Sequence, residues 1–174
     1  MDRFLTFLYI CNPIFSQFNL KLTNNEHIII RKAFETDLQS VYDLIHELAV
    51  FEKQPQEPTN LFMDFVQDFM SGCFEIFIAT SEEEVLGMTL FHDAYSSWKG
   101  RILYLDDFVI KESHRGKGIG KLLFEAYLEE GKKRNVKQFR WHVLDWNQSA
   151  IEFYKKYNSS FDNEWITCKI LINN

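Results

Sequence analysis

A glycine-rich loop between an apolar strand and an amphipathic helix constrains this sequence more than any other feature. Residues 101–110 (RILYLDDFVI) are apolar, aromatic and β-branched over a length typical of a strand. After the loop at residues 115–120 (RGKGIG), apolar residues recur at helical spacing: Ile119, Leu122, Leu123, Ala126 and Tyr127. The N–H groups that begin a helix have no partner within it, and the helix dipole favours an anion there. This arrangement therefore predicts a phosphate site.

Two familiar phosphate motifs do not fit the loop. The P-loop of nucleoside triphosphatases requires glycine at the position of Arg115 and Ser or Thr at the position of Leu122. A dinucleotide fingerprint requires a further glycine at Lys121 or Leu123, depending on which glycine begins it. From the loop alone, the remaining alternative is a glycine-rich connection that binds no ligand.

Charge is divided unevenly along the chain. The 19 basic and 25 acidic residues give a net charge of −6, which argues against a nucleic-acid partner. Residues 35–84 contain twelve acids and one base, whereas residues 111–140 contain nine bases and four acids. The basic part suits a polyanionic cofactor and the acidic part suits a cationic substrate, although solvated helix faces produce the same pattern.

The pattern of apolar residues predicts one α/β domain over residues 26–174. Strands are expected at 27–31, 74–80, 85–92, 101–110, 138–144 and 164–172, and helices at about 37–51, 61–71, 118–133 and 148–157. The order β-α-α-β-β-β-α-β-α-β indicates a mixed sheet flanked by helices. Residues 1–25 are expected to form an extension that packs on the domain or is poorly ordered. Asn12-Pro13 interrupts their apolar run, which argues against a secretory signal or a membrane span.

The cysteines and histidines show no metal-site spacing, so no metal is expected. The sequence has three cysteines, an odd number: Cys11, Cys73 and Cys168. They are expected to be buried side chains in a protein of a reducing compartment, which indicates the cytoplasm. The scattered histidines are expected to be structural or on the surface: His27, His46, His92, His114 and His142.

The loop and two later stretches resemble the GNAT acetyltransferase superfamily. The pattern Arg-x-x-Gly-x-Gly after a strand is similar to its acetyl-CoA pyrophosphate loop, and the element order is similar to the GNAT fold over residues 28–172. Residues 145–158 resemble the family segment N-x-x-A…F-Y-x-x-x-G, with Asn158 in place of the glycine; Asn also adopts the left-handed conformation. The resemblance implies that acetyl-CoA is bound by Phe108, Val109, Ile110, Arg115, Gly116, Lys117, Gly118, Ile119, Gly120, Lys121, Asn147, Ala150 and Tyr154.

Further residues resemble the spermidine/spermine (diamine) acetyltransferase branch, which includes relatives acting on thialysine and other small amines. They are residues 103–108 (LYLDDF), residues 145–147 (DWN), Trp98 and Phe51-Glu52. Members of that branch carry Glu at the position of Asp106, Tyr at that of Phe51, and an acid just before the Trp. The resemblance implies a small cationic amine as substrate, a homodimer, and a substrate site of Phe51, Glu52, Trp98, Asp106 and Asp107.

Acetyl transfer to an amine requires a neutral nitrogen. An alkylamine with a pKa of about 10.4 costs roughly 4 to 5 kcal/mol to deprotonate at pH 7, so a general base is needed. The resemblance assigns that role to Asp106, through a bridging water because Asp is shorter than Glu, and the general acid to Tyr154. A backbone N–H near Phe108 or Val109 would meet the acetyl oxygen.

Each of these assignments has an alternative. Strand alternation sends Asp106 and Asp107 to opposite faces unless a bulge intervenes. The alternative is therefore that one of the two has a purely structural role. Tyr154 has the spacing of a core residue on a short helix. A peptide or protein N-acetyltransferase and a non-catalytic CoA-binding module remain alternative functions.

Overall fold

The computed structural model describes residues 18–21, 27–82 and 84–172, which divide between His142 and Val143 into two compact units. The first unit contains six strands: β1 (Phe18–Lys21), β2 (His27–Lys32), β3 (Glu75–Ser81), β4 (Glu84–Ser96), β5 (Gly100–Ile110) and β6 (Gln138–Arg140). Its helices are α1 (Leu38–Phe51), α2 (Phe62–Ser71) and α3 (Ile119–Lys133). The second unit contains α4 (Gln148–Lys155). None of the helices described is long and apolar enough to cross a membrane.

The first unit is a mixed sheet with strands in the order β1 to β6. Neighbouring strands from β1 to β5 are antiparallel, and β6 is parallel to β5. Leu90 of β4 belongs to the buried cluster that includes α1 and α2 residues. The ring centres of the next residue, Phe91, and of Tyr127 on α3 are 5.6 Å apart. Since successive strand residues point to opposite faces, α1 and α2 cover one face of the sheet and α3 covers the other.

An ion pair fixes the start of α1 against β2. Arg31 donates two hydrogen bonds to the carboxylate of Asp37, at 2.6 and 2.9 Å, and the N–H of Phe34 donates a third at 2.7 Å. Burial raises the pKa of Asp37, but the Arg31 guanidinium and the Phe34 N–H outweigh it and hold that pKa below its usual value. The helix ends where Lys53 takes the left-handed conformation (φ 62°), which leaves Glu52 at its C-terminal end.

The predicted α/β fold class is confirmed, and so are the four helices, but two strand predictions are wrong. Residues 164–172 form no strand, and β6 is only three residues long rather than spanning 138–144. An apolar pattern shows only that a segment suits a sheet. A strand also needs a neighbouring strand to which its backbone N–H and C=O groups can hydrogen-bond. Trp165 and Ile166 are 75% and 89% exposed. The structure adds β1, which the sequence did not predict, and the rest of the predicted extension lies outside the described residues.

Gly87 allows the end of β5 to approach β4 closely. A Cβ atom at this position would lie 2.6 Å from Ile110 Cδ1 and 2.7 Å from the Val109 carbonyl oxygen. We expect Gly87→Ala to lower the free energy of unfolding by about 1 to 3 kcal/mol, because backbone must move to relieve the contact. Urea denaturation measures the change. Gly120→Ala is the matched control, since its Cβ would meet only side-chain atoms, of Phe108 at 3.4 Å and of Ile110 at 3.7 Å; equal destabilisation by both changes would contradict the steric explanation.

Candidate active site

The glycine-rich loop has the strand-to-helix setting that the sequence predicts. β5 ends at Ile110, a short 3₁₀ turn follows, and Gly118 is the N-cap of α3. Gly116 and Gly118 have φ angles of 75° and 87°, which favour glycine. A Cβ on Gly116 would meet no described atom within 4 Å, so the loop is open on that side. The first amides of α3 and the exposed side chains of Lys117 and Lys121 are a donor set that fits a diphosphate.

Arg115 connects this loop to the end of α1. Its Nε donates to the Ile110 carbonyl oxygen at 3.0 Å, and its guanidinium carbon lies 5.0 Å from the ring centre of Phe51. Phe51 is the last residue of α1 and is followed by Glu52. The predicted phosphate loop and part of the predicted substrate site are therefore in direct contact within the first unit.

The backbone of β5 alternates between β4 and the opposite edge. The N–H of Lys111 donates to the carbonyl oxygen of Leu86 on β4 at 2.9 Å. Because backbone groups alternate along a strand, the N–H and C=O of Val109 also point to β4, whereas those of Phe108 and Ile110 point away from it. Among the described residues, β6 pairs with β5 only from Ile102 to Tyr104. The Phe108 N–H thus points to the edge of β5 beyond the end of β6, which favours Phe108 over Val109 as the oxyanion donor.

A β-bulge lies at the two predicted carboxylates. Leu90 pairs with Asp107 and Phe91 pairs with Leu105, which leaves Asp106 as the additional residue on β5. The bulge removes the simple alternation that would send the two carboxylates to opposite faces. Asp106 is exposed, whereas Asp107 is half-buried. Burial, then the charges of Asp106 and Glu52, raise the pKa of Asp107 to about 7.

The structure brings four of the five predicted substrate-site residues together. Glu52 also has a raised pKa because it is partly buried, and its charge acts on Asp107. Trp98 is different: it lies in the turn between β4 and β5 and is 81% exposed. Six residues of β5 at about 3.3 Å each place Gly100, beside that turn, roughly 20 Å from Asp106. Within one chain, Trp98 is therefore remote from the carboxylates.

Sequence reasoning missed a row of polar side chains beside Asp106. The hydroxyl of Tyr104 lies 2.6 Å from Nδ1 of His142, and the ring centres of Tyr104 and His92 are 5.2 Å apart. Burial and the Asp106 charge raise the pKa of Tyr104, while Arg140 acts in the opposite direction. These residues are brought together by strand pairing, so their spacing along the chain does not indicate that they are neighbours.

The cysteine prediction is wrong for the two described cysteines. Cys73 and Cys168 are free and exposed rather than buried. Cys11 lies outside the described residues. Within the described ranges, no three His, Cys, Asp or Glu residues are grouped in a way that could hold a metal ion.

The second unit contains the other predicted site residues. The side chain of Asn147 caps α4 by accepting from the Ala150 N–H at 3.2 Å. Tyr154 is 5% exposed, and burial raises its pKa well above the usual value, so its phenol carries a proton at neutral pH. Asn158 has a φ of 56°, the left-handed conformation expected there.

Comparison with known proteins gives consistent results. The acetyltransferase (GNAT) family matches residues 38–158. A thialysine N-epsilon-acetyltransferase of Bos taurus is 35% identical over 138 residues, which cover 74% of this chain and 81% of that protein. An L-ornithine N5-acetyltransferase of Arabidopsis thaliana is 26% identical, over 81% of this chain and 83% of that protein. The structure of an aminoglycoside acetyltransferase from a soil metagenome has a TM-score of 0.70 at 15% identity, over 84% of this chain and 97% of the other.

Proposed function

The chain belongs to the GNAT acetyltransferase family and transfers an acetyl group to an amine, and we propose that the acceptor is a primary amine of a small cationic molecule. The resemblance identified from the loop and from residues 145–158 is thereby confirmed at the level of the family. One observation carries the proposal: the bulge sets two carboxylates side by side on the strand that precedes the proposed phosphate loop. Relatives that act on thialysine and ornithine support a small amine.

The loop would hold the diphosphate of acetyl-CoA, which supplies the acetyl thioester. Residues 116–121 offer backbone N–H groups and two lysine side chains, and Arg115 holds the loop against Phe51. The other predicted cofactor contacts are the β5 segment 108–110, Asn147, Ala150 and Tyr154. We assign the Phe108 N–H to the acetyl oxygen, because the Val109 N–H points to β4 and the Phe108 N–H points away from it.

The carboxylates would bind and deprotonate the amine. A protonated amine beside Asp107 and Glu52 favours the ionised form of both groups, which offsets the cost of their partial burial. Asp106 would first take a proton from the ammonium group, directly or through a water, and the neutral nitrogen would then attack the acetyl carbon; the nitrogen loses its second proton to solvent as the amide forms. Tyr154 would donate its phenol proton to the sulfur as the carbon–sulfur bond breaks.

An assay of thiol release tests this function. Purified protein with acetyl-CoA is given thialysine, L-ornithine, spermidine, or a peptide with a free N-terminus and a lysine. Release of CoA with the small amines, at a rate well above the peptide, is the expected result. Turnover confined to the peptide would replace the small-amine proposal with peptide acetylation, and binding of acetyl-CoA without turnover on any acceptor would indicate a non-catalytic module.

Tyr154→Phe is expected to lower kcat about a hundredfold, because the thiolate would leave without its proton donor. The dissociation constant for acetyl-CoA should change by no more than about twofold, since the ring remains. Calorimetry and steady-state kinetics measure the two quantities. Tyr157→Phe, a phenol in the turn after α4, is the control. An equal loss of turnover and of acetyl-CoA affinity would mean that Tyr154 has only a packing role.

We also propose that the enzyme is a cytoplasmic homodimer. Tyr95 near the end of β4 and Trp98 in the β4–β5 turn are 77% and 81% exposed, and such aromatic side chains are enriched at interfaces. Both cysteines in the described part of the chain are free, which suits a reducing compartment. A monomer mass in analytical ultracentrifugation at assay concentration would contradict the dimer, and cell fractionation tests the location.

A further inference from the structure

The row of polar side chains beside the carboxylates consists of His92, Tyr104, Arg140 and His142. The register pairs His92 with Tyr104 across β4 and β5, and Tyr104 with Arg140 across β5 and β6. Directly paired residues share a face of the sheet, so these three side chains lie side by side across three strands. His142 follows β6 and contacts the Tyr104 hydroxyl at 2.6 Å. We call these four residues the histidine–tyrosine row.

The row presents hydrogen-bond donors and positive charge. Arg140 is permanently charged and carries five N–H donors. The raised pKa of Tyr104 keeps its hydroxyl protonated. If that hydroxyl donates to His142, the neutral imidazole has its proton on Nε2; if His142 donates instead, the hydroxyl proton is directed elsewhere. Either arrangement leaves a donor for an anionic ligand.

No carboxylate belongs to the row. Asp93, which follows His92 on β4, is on the opposite face and lies 3.4 Å from Arg134. The nearest acid along β5 is Asp106, two residues and about 7 Å from Tyr104. The same face of the sheet therefore changes from acidic at Asp106 and Asp107 to cationic and donor-rich at the row.

We infer that the histidine–tyrosine row binds the carboxylate of an amino acid whose side-chain amine is acetylated at Asp106. This inference rests on the proposed function and specifies its substrate class. The distance of about 7 Å suits a lysine-like or ornithine-like side chain, with its terminal amine at Asp106 and its carboxylate at the row. A diamine would place the same second ammonium near Arg140 without the neighbouring carboxylate that neutralises it, which is electrostatically unfavourable. The row thus makes the enzyme prefer diamino acids over diamines.

Matched substrates that differ only in the carboxylate test the inference: L-lysine against cadaverine, and L-ornithine against putrescine. We expect kcat/KM of the native enzyme to be at least about tenfold higher for each amino acid, as for one charge-assisted hydrogen bond of 1.4 kcal/mol or more. His142→Ala and Arg140→Gln should each raise KM for the amino acid about five- to tenfold and leave kcat/KM for the diamine unchanged or higher. Arg101→Gln, an exposed cation on β5 outside the row, is the control.

The outcomes separate this inference from the function on which it rests. Equal use of the amino acid and the diamine by the native enzyme would overturn the inference while leaving small-amine acetylation intact. So would variants that lower kcat/KM equally for both substrates, because a general structural effect has no preference for the carboxylate. Absence of acetylation with all four amines would contradict the proposed function itself.

Discussion

Asp107→Asn is expected to stabilise the protein at pH 8 and to impair amine binding. The folded state raises the pKa of Asp107 from 3.8 to about 7. Below pH 3.8 the carboxyl is neutral in both the folded and the unfolded state, so its ionisation does not change the free energy of unfolding. As the pH rises from 3.8 to 7, the unfolded chain releases the proton and the folded chain keeps it, so stability falls. Above pH 7 the full penalty is present, about 4 kcal/mol at 1.36 kcal/mol per pKa unit.

The amide is neutral at every pH and avoids this penalty. We therefore expect the free energy of unfolding to rise by roughly 2 to 4 kcal/mol at pH 8 and to change little at pH 4. KM for the cationic amine should rise about tenfold or more, because a negative charge at the amine has been removed. Urea denaturation at the two pH values and steady-state kinetics measure both effects. Asp43→Asn, an exposed carboxylate on α1, is the control. A pH-independent change in stability would contradict the penalty assigned to Asp107.

Asp106→Asn is expected to lower kcat roughly a hundredfold at pH 7, because Asn cannot accept the proton of the attacking amine. The loss should decrease towards pH 10, since the amine there is increasingly neutral without a base. Asp106→Glu keeps a carboxylate and should retain most of the activity, while shortening or removing the water bridge. A pH–rate profile of the three proteins checks this. A loss that is the same at pH 7 and pH 10 would exclude proton transfer as the role of Asp106.

These two predictions share a physical basis in one irregularity of the sheet. A regular β5 would separate neighbouring carboxylates onto opposite faces. The bulge keeps Asp106 beside Asp107, and their mutual repulsion contributes to the raised pKa. Like-charged carboxylates are costly in a folded protein but suit a cationic ligand, whose binding relieves the repulsion.

Features determined by local chain chemistry could be predicted from the sequence. The loop at residues 115–120 was recognisable because three glycines lie between a strand pattern and a helix pattern; the structure adds that Gly116 and Gly118 have positive φ angles. The left-handed Asn158 was predicted from the family resemblance, because that family segment has glycine at this position. The start of α1 was recognisable from its helical spacing.

Features that depend on strand pairing could not be predicted. The bulge is a mismatch between β4 and β5, and periodicity within β5 does not reveal it. The contact of Tyr104 with His142 joins residues that are 38 positions apart. The strand predicted at 164–172 failed for a related reason, because its apolar pattern does not indicate whether a partner strand is present.

Hydrogen–deuterium exchange with and without CoA tests the central claim, which is that the loop before α3 holds the coenzyme diphosphate. Backbone amides in peptides covering residues 115–122 should exchange more slowly when CoA is bound, because the oxygens of the diphosphate accept their hydrogen bonds. Peptides from α2 should be unchanged. Protection at α2 or elsewhere with none at residues 115–122, or no protection at millimolar CoA, would contradict this account of the active site.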